Sequence, residues 1–162
     1  SPFLEKLVLN RNYIRDAILM FQYELARRLI AEAGKKEYGA LSVISRYYAT
    51  LSPLIKVGRD SFYPKPKVDS MVLEIDFEKP YPLQAENEGL FQRIVKAAFS
   101  YRRKTILNSL GRGFKLVSKE IITEALEKCM IDPKRRAETL TIDDYIKLVS
   151  ALMPMRQFLD TH

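Results

Sequence analysis

Apolar residues are spaced in two different ways along this chain, and the change falls near residue 84. Upstream, they gather in short compact runs. Ala17–Phe21 is apolar throughout, as in strands buried on both faces. Leu41–Ala49 reads as a second apolar strand, Leu54–Val57 as a short third, and Val68–Phe77 as a fourth. From Ser70 the fourth alternates polar and apolar, with Val72 the one break, as a strand with one wetter face does. Between the first two runs, Leu25, Leu29 and Ile30 share a helical face that Gly34 ends. Ser1-Pro2, as N-cap and first helical residue, opens a short helix carrying Phe3, Leu4, Leu7 and Val8.

Downstream of Glu78-Lys-Pro-Tyr-Pro-Leu-Gln84, a segment with two prolines, the period is helical throughout. Glu88–Phe99 sets Leu90, Phe91, Ile94, Val95, Ala98 and Phe99 on one stripe. A helix over Thr105–Leu110 stops at Gly111-Arg-Gly113, and Ser118 caps a third. Asp132-Pro133 opens a turn, Asp as N-cap and Pro at the first helical position. Thr141-Ile-Asp-Asp144 starts the last helix, with acids in its first turn, running to Pro154. Two strand–helix alternations followed by an antiparallel-looking pair predict the tail of an α/β sheet, and the helices beyond it a small all-α domain. Such a sheet is incomplete, and its first strand would stand at an unprotected edge. The chain is therefore expected to lack an N-terminal part.

One stretch fits neither period. Asp60-Ser-Phe-Tyr-Pro-Lys-Pro-Lys-Val-Asp-Ser70 holds two prolines one residue apart, which fix φ twice and remove two donors. An extended, polyproline-like arm is expected there. It offers Phe62 and Tyr63 at its entrance and Lys65 and Lys67 along it, a combination suited to a flat anionic ligand such as a nucleotide. A plain connection whose aromatics cap the core is the equal alternative.

Charge sharpens the picture. The chain of 162 residues carries a net charge of +7. Most of the excess lies late, since residues 79–162 hold 15 Lys/Arg against 10 Asp/Glu. That distribution favours a polyanionic partner over a membrane surface. No apolar run approaches a membrane span. A single cysteine, Cys129, excludes an internal disulfide and fits a reducing cytoplasm. His162 is the single histidine, so neither a His–Cys metal cluster nor a Ser–His–Asp triad is available.

The richest basic cluster is Ser100-Tyr-Arg-Arg-Lys104, at the end of a helix, where phosphate binding competes with a solvated helix terminus. The terminus is the favoured reading on the adjacent cations alone. Lys134-Arg-Arg136 is a second cluster, in which Arg136 and Glu138 form an equally weighted structural pair. Gln22 and Glu24 follow a strand, where α/β enzymes place working residues, though capping groups are commoner there. Gly39 marks either a close backbone approach or, more simply, a turn. No glycine-rich phosphate loop, paired carboxylate site or nucleophile elbow is present.

Five segments together resemble one family. Phe21-Gln-Tyr-Glu-Leu-Ala-Arg-Arg-Leu29, Tyr38-Gly-Ala-Leu-Ser-Val43 and Phe62-Tyr-Pro-Lys-Pro-Lys-Val-Asp-Ser70 come first. Ala98-Phe-Ser-Tyr-Arg-Arg-Lys-Thr-Ile-Leu-Asn108 and Ile131-Asp-Pro-Lys-Arg-Arg-Ala-Glu-Thr-Leu140 complete them, in the family's order. The family is that of the ribosomal RNA adenine N6-dimethyltransferases of the KsgA type, which use S-adenosylmethionine to modify small-subunit rRNA. The aromatic-Pro-x-Pro and Arg-Arg-Lys segments are similar also to antibiotic-resistance methylases of large-subunit rRNA.

The resemblance implies the C-terminal half of a Rossmann-like methyltransferase sheet over 1–78, a linker at 79–84 and a basic helical RNA-binding domain over 85–162. It implies Phe62 as the aromatic that stacks on a flipped adenine, with Arg102, Arg103, Lys104, Arg135, Lys65 and Lys67 on RNA. The family's glycine-rich cofactor loop, acidic ribose ligand and Asn-Leu-Pro-Tyr catalytic motif are absent from this sequence. No catalytic or cofactor residue is therefore expected in this chain, which alone would be inactive, and no metal site. The expected partners are small-subunit rRNA and the pre-30S particle, in the cytoplasm, with no membrane and with self-association through the exposed sheet edge. A non-catalytic RNA-binding or ribosome-assembly module is the alternative, and a DNA-binding helical protein a weaker third.

Overall fold

The computed structural model describes residues 2–159; the expected cap at Ser1 and the histidine at 162 lie outside them. Contacts divide the chain into two units, one formed by residues up to Ala31 with Ile44–Pro82, the other by Glu32–Val43 with the residues from Leu83 onward. The segment 32–43, which the sequence pattern attaches to the sheet, thus belongs to the helical unit.

The first unit contains α1 (Pro2–Leu9), β1 (Asp16–Gln22), α2 (Tyr23–Ile30), the end of α3 (Ala40–Tyr48), β2 (Thr50–Val57) and β3 (Ser70–Asp76). The sheet has three strands in the order β1-β3-β2, both pairings antiparallel. Leu73 and Ile75 of β3 are buried on the face that α2 covers with Ala26 and Leu29. They stand opposite Leu19 and Ala17 of β1, and opposite Pro53 and Leu51 of β2.

Two expectations are corrected here. Residues 41–48 lie in the helix α3 and not in a strand, and Ala49 follows its end. The apolar residues that imitate a strand fall at helical spacing, so Val43, Tyr47 and Tyr48 are all buried. The chain therefore has three strands among the described residues where four were expected. Further, β1 is not buried on both faces: exposure alternates along it, and Ile18 and Met20 are 63% and 52% exposed. The expected third strand is longer than its Leu54–Val57 core, beginning at Thr50 and passing Pro53 at an irregularity in the pairing with β3.

In the helical unit, α4 (Glu88–Phe99), α5 (Ile106–Gly113), α6 (Lys119–Lys128), α7 (Ile142–Leu152) and α8 (Arg156–Leu159) follow in order. Their starts are chemically marked. The side chains of Asn87, Thr105, Ser118 and Thr141 each accept a backbone N–H of the first turn. Thr141 and Asp144 complete a reciprocal capping box. Leu90, Phe91, Ile94, Ile106, Leu110, Ile122, Leu126 and Leu148 are fully buried. Gly111 does not stop α5, which runs on to Gly113 because the chain must approach α4 there: a Cβ on Gly113 would lie 2.6 Å from that of Ala97. Asp132-Pro133 opens a turn without a helix, Asp132 accepting the N–H of Lys134 at 2.8 Å.

The segment 32–43 is tied in by polar contacts. Gly34, at φ +85°, donates its N–H to the Glu138 carbonyl at 2.8 Å. The Tyr38 hydroxyl donates to the Leu140 carbonyl at 2.9 Å, and that of Tyr145 to the Ala137 carbonyl at 2.8 Å. Phe99 lies between the two rings, at 5.9 and 6.0 Å centroid separation. Burial pushes the Tyr145 phenol well above its ordinary value, so it stays a neutral donor.

The end of α6 carries an anomaly. Ile131 donates to the Leu126 carbonyl and Met130 to that of Glu127, the two bonds of a Schellman motif. Its left-handed position holds Met130, at φ 58° and 86% exposed, where glycine is the unstrained residue. Met130→Gly is expected to stabilise the helical unit by about 0.5–1 kcal/mol. Gly113→Ala is expected to cost about 1–2 kcal/mol, the clash with Ala97 outweighing the helix propensity of alanine. Denaturant titration of the two variants against the parent measures both.

Candidate functional site

The proline-rich stretch leaves β2 through Gly58 and a 3-10 turn, Arg59–Ser61, and reaches β3 by bends over 62–68. It is not a straight polyproline arm, because the turn and bends carry it back to the start of β3. The Tyr63–Pro64 peptide is cis. Phe62 has extended backbone and is half-buried, neither part of the core nor fully exposed. Tyr63 is entirely exposed.

Asp69, the residue directly before β3, organises its surroundings. The Asp69 carbonyl accepts the N–H of Tyr23 at 2.9 Å, at the β1–α2 junction. The Asp69 carboxylate accepts the N–H of Arg59 at 3.1 Å and pairs with Lys56 at 3.3 Å. The Arg59 hydrogen bond first, and Lys56 second, hold its carboxyl below the ordinary range. The Lys56 ammonium also lies 4.6 Å from the centroid of the Tyr23 ring. Around these contacts opens a cavity of about 420 Å³. Gln22, Tyr23 and Glu24 line one side of it, and Arg59, Lys67, Val68 and Asp69 the other.

The structure thus brings Lys67 together with Gln22 and Glu24, the two polar residues singled out after the first strand. Lys65 does not line this cavity and pairs with Asp60. Arg59 and Asp69 carry the junction, and sequence reasoning gave them no role. The one available signal was Gly58-Arg59-Asp60 directly behind a strand.

In the helical unit, Tyr101–Lys104 is a turn between α4 and α5 and not the end of a helix, since α4 closes at Ser100. The Arg102 guanidinium donates to the Lys36 carbonyl at 3.1 Å, which sets the chain at Lys36 beside the cluster. Arg103 and Lys104 are exposed, with no side-chain partner among the described residues. Arg112 lies over the Tyr101 ring at 5.2 Å. The second basic turn adjoins the first, for Ile106 donates to the Arg135 carbonyl at 2.6 Å and Leu107 to that of Pro133 at 3.4 Å.

Arg135 itself is largely committed. Its guanidinium donates to the Thr139 hydroxyl at 3.2 Å and to the Thr139 carbonyl, and lies 3.8 Å from the Asp144 carboxylate. The structural pair of this turn is therefore Arg135–Asp144, and no Arg136–Glu138 pair forms among the described residues. Burial pushes the Cys129 thiol up, which withholds a reactive thiolate. Among the described residues no group of His, Cys, Asp and Glu is placed to hold a metal ion. Among the described residues, no helix is long and apolar enough to cross a membrane.

Two solved structures share this architecture. A dimethyladenosine transferase from Plasmodium falciparum aligns at TM-score 0.76 and 27% identity, over 95% of this chain and 64% of that one. The 23S rRNA methyltransferase ErmE aligns at 0.61 and 21% identity, over 93% and 59%, a likeness of fold alone. The fold is that of an α/β methyltransferase, represented here by part of its sheet and the helical unit. The sequence is narrower in its affinity: the family model for ribosomal RNA adenine dimethylases matches residues 1–153. The chain belongs to that family.

Among its relatives are ribosomal RNA small subunit methyltransferases A from Desulforapulum autotrophicum and Moorella thermoacetica. The first is 43% identical over 96% of this chain and 55% of the relative, the second 44% over 94% and 52%. The chain spans about half the length of the curated relatives it matches.

The contacts of Asp69 make the junction sensitive to acid. Its carboxyl is depressed below 3.8 in the folded protein, so its contribution to stability is complete above that value and is lost as pH falls through the folded one. Asp69→Asn is expected to lower the melting temperature at pH 7, with the difference from the parent closing below pH 3.8. Melts across the pH range check this; a difference independent of pH would assign the loss to geometry.

Proposed function

We propose that this chain serves, together with a cofactor-binding half, the N6,N6-dimethylation of adenines in small-subunit rRNA during ribosome biogenesis. The match of residues 1–153 to the ribosomal RNA adenine dimethylases carries this reading, and the names of the relatives specify the subunit. In it, Phe62 stacks on an adenine turned out of the RNA, a contact worth about 1–3 kcal/mol. Its half-buried position on a short loop supports that role. The helical unit supplies RNA affinity through the turn that carries Arg102, Arg103 and Lys104, with Lys36 beside it. Arg135 positions the adjoining turn, its own guanidinium being engaged. The substrate is expected in the cytoplasm, as rRNA or a pre-30S particle.

S-adenosylmethionine is the methyl donor that the family implies. The residues here do not by themselves fit it: the six glycines stand at 34, 39, 58, 89, 111 and 113, and none forms a glycine-rich loop between a strand and a helix. No chemical step of this chain is assigned to the cofactor, and calorimetric titration of the chain with S-adenosylmethionine is expected to give no isotherm. A non-catalytic RNA-binding module is the second reading, favoured by the exposed Arg103 and Lys104.

Fusion to the preceding half of the Moorella thermoacetica relative separates the two. On the proposed reading the chimera methylates small-subunit rRNA; an inactive chimera that is folded and binds the cofactor favours the second. Within the chimera, Phe62→Ala is expected to lower single-turnover methylation by about ten- to a hundred-fold with little change in melting temperature, and Phe62→Tyr to retain most of it. A large fall in melting temperature would make Phe62 a packing residue. In the chain alone, replacing Arg102, Arg103 and Lys104 with Ala is expected to weaken RNA binding and flatten its dependence on log salt by about one unit per lost phosphate contact.

A further inference from the structure

We infer that Arg59 and Lys67 form a subsite for an RNA backbone phosphate, separate from the basic turns of the helical unit. The inference rests on the proposed function for the identity of the strand that supplies the phosphate. The cavity of about 420 Å³ has a volume in the range of small-ligand sites. Two carboxylates line it, and each is already neutralised: Glu24 by Arg28, Asp69 by Lys56. Of the four cations on this loop and the end of β2, Lys56 and Lys65 are likewise paired, with Asp69 and Asp60.

Two cations remain. The side chains of Arg59 and Lys67 make no hydrogen bond or ion pair among the described residues, and both line the cavity. Arg59 acts on Asp69 only through its backbone N–H and the field of its charge. A concave surface whose two acids each have a paired cation, and which adds two cations with no side-chain partner, favours an anion. A guanidinium and an ammonium together suit a phosphodiester.

The place of this pair gives it a use. Arg59 is held by Asp69, and the 3-10 turn Arg59–Ser61 leads directly to Phe62. A phosphate seated on Arg59 and Lys67 fixes the backbone of the same strand whose base stacks on Phe62. It positions the nucleotide, while the helical unit supplies affinity along the RNA.

The test uses the chain itself, labelled with ¹⁵N, and the dinucleotide ApA. ApA is expected to shift the amides of Tyr23, Glu24, Arg59 and Lys67. Its uncharged methylphosphonate analogue is expected to bind at least ten-fold more weakly, and inorganic phosphate to reach the same amides with at least ten-fold lower affinity. Arg59→Gln with Lys67→Gln is expected to weaken ApA at least ten-fold at unchanged melting temperature, both side chains being exposed. Alanine at Arg102, Arg103 and Lys104 should leave ApA binding as it was.

Equal binding of the methylphosphonate, or shifts confined to other amides, overturns the subsite. Inorganic phosphate binding as tightly as ApA overturns its assignment to RNA. Failure of the two readings is distinguishable. A chain that binds longer RNA through Arg102–Lys104 while ApA leaves the cavity unmoved loses only the subsite. A chimera without methylation whose cavity still takes ApA loses only the proposed function.

Discussion

A strand in the middle of a sheet must satisfy backbone groups on both edges, and in this chain that requirement falls on β3. It pairs along its length with β1 on one side and β2 on the other, and buries Leu73 and Ile75 beneath α2. Whatever enters β3 is therefore held where its first residues are held. That is why the loop before it is confined although few of its side chains are buried. Asp69 turns the confinement into a site: its carbonyl fixes the β1–α2 junction, and its carboxylate fixes the exit from β2.

The two edges of the sheet are treated differently. On β2, Pro53 removes a donor, the register is irregular beside it, and Lys56 follows. These are devices that discourage further pairing. On β1 the residues Ala17–Phe21 carry neither proline nor charge, and Ile18 and Met20 are exposed. The same face bears Val72 and Ile55 in register with Met20.

In the helical unit, two tyrosines do what Asp69 does in the other. Tyr38 and Tyr145 are buried as rings, and each sends its hydroxyl to a carbonyl of the turn 137–140. A buried carbonyl left without a donor costs about 1–3 kcal/mol. These bonds therefore hold the segment that directly follows the turn whose Arg135 and Pro133 carbonyls accept from the start of α5. Of the cations on the turn between α4 and α5, Arg103 and Lys104 have no side-chain partner among the described residues, while Arg102 donates to the Lys36 carbonyl. Arg135 is engaged more fully, by Thr139 and Asp144.

Much of this was legible in the residues alone. The helix α4 is announced by its apolar stripe, and α6 and α7 by Ser118 and Thr141 at their starts ahead of apolar stripes, since local chemistry acts over a few residues. The family, too, was legible, because its motifs are contiguous segments. Residues 41–49 were not, since valine, isoleucine and tyrosine favour strands while their burial follows the helical period, and burial is decided by neighbours distant in the chain. Phe62 and Lys67 could be named from sequence; that Lys67 shares a cavity with Gln22, Glu24 and Arg59 could not. Nor could the commitment of Arg135, the cation whose partners are Thr139 and Asp144. Residue type determines which charges a chain owns, but only the tertiary structure decides which are neutralised at home, because compensation depends on distances that the pairing of β3 and the packing of the helices set.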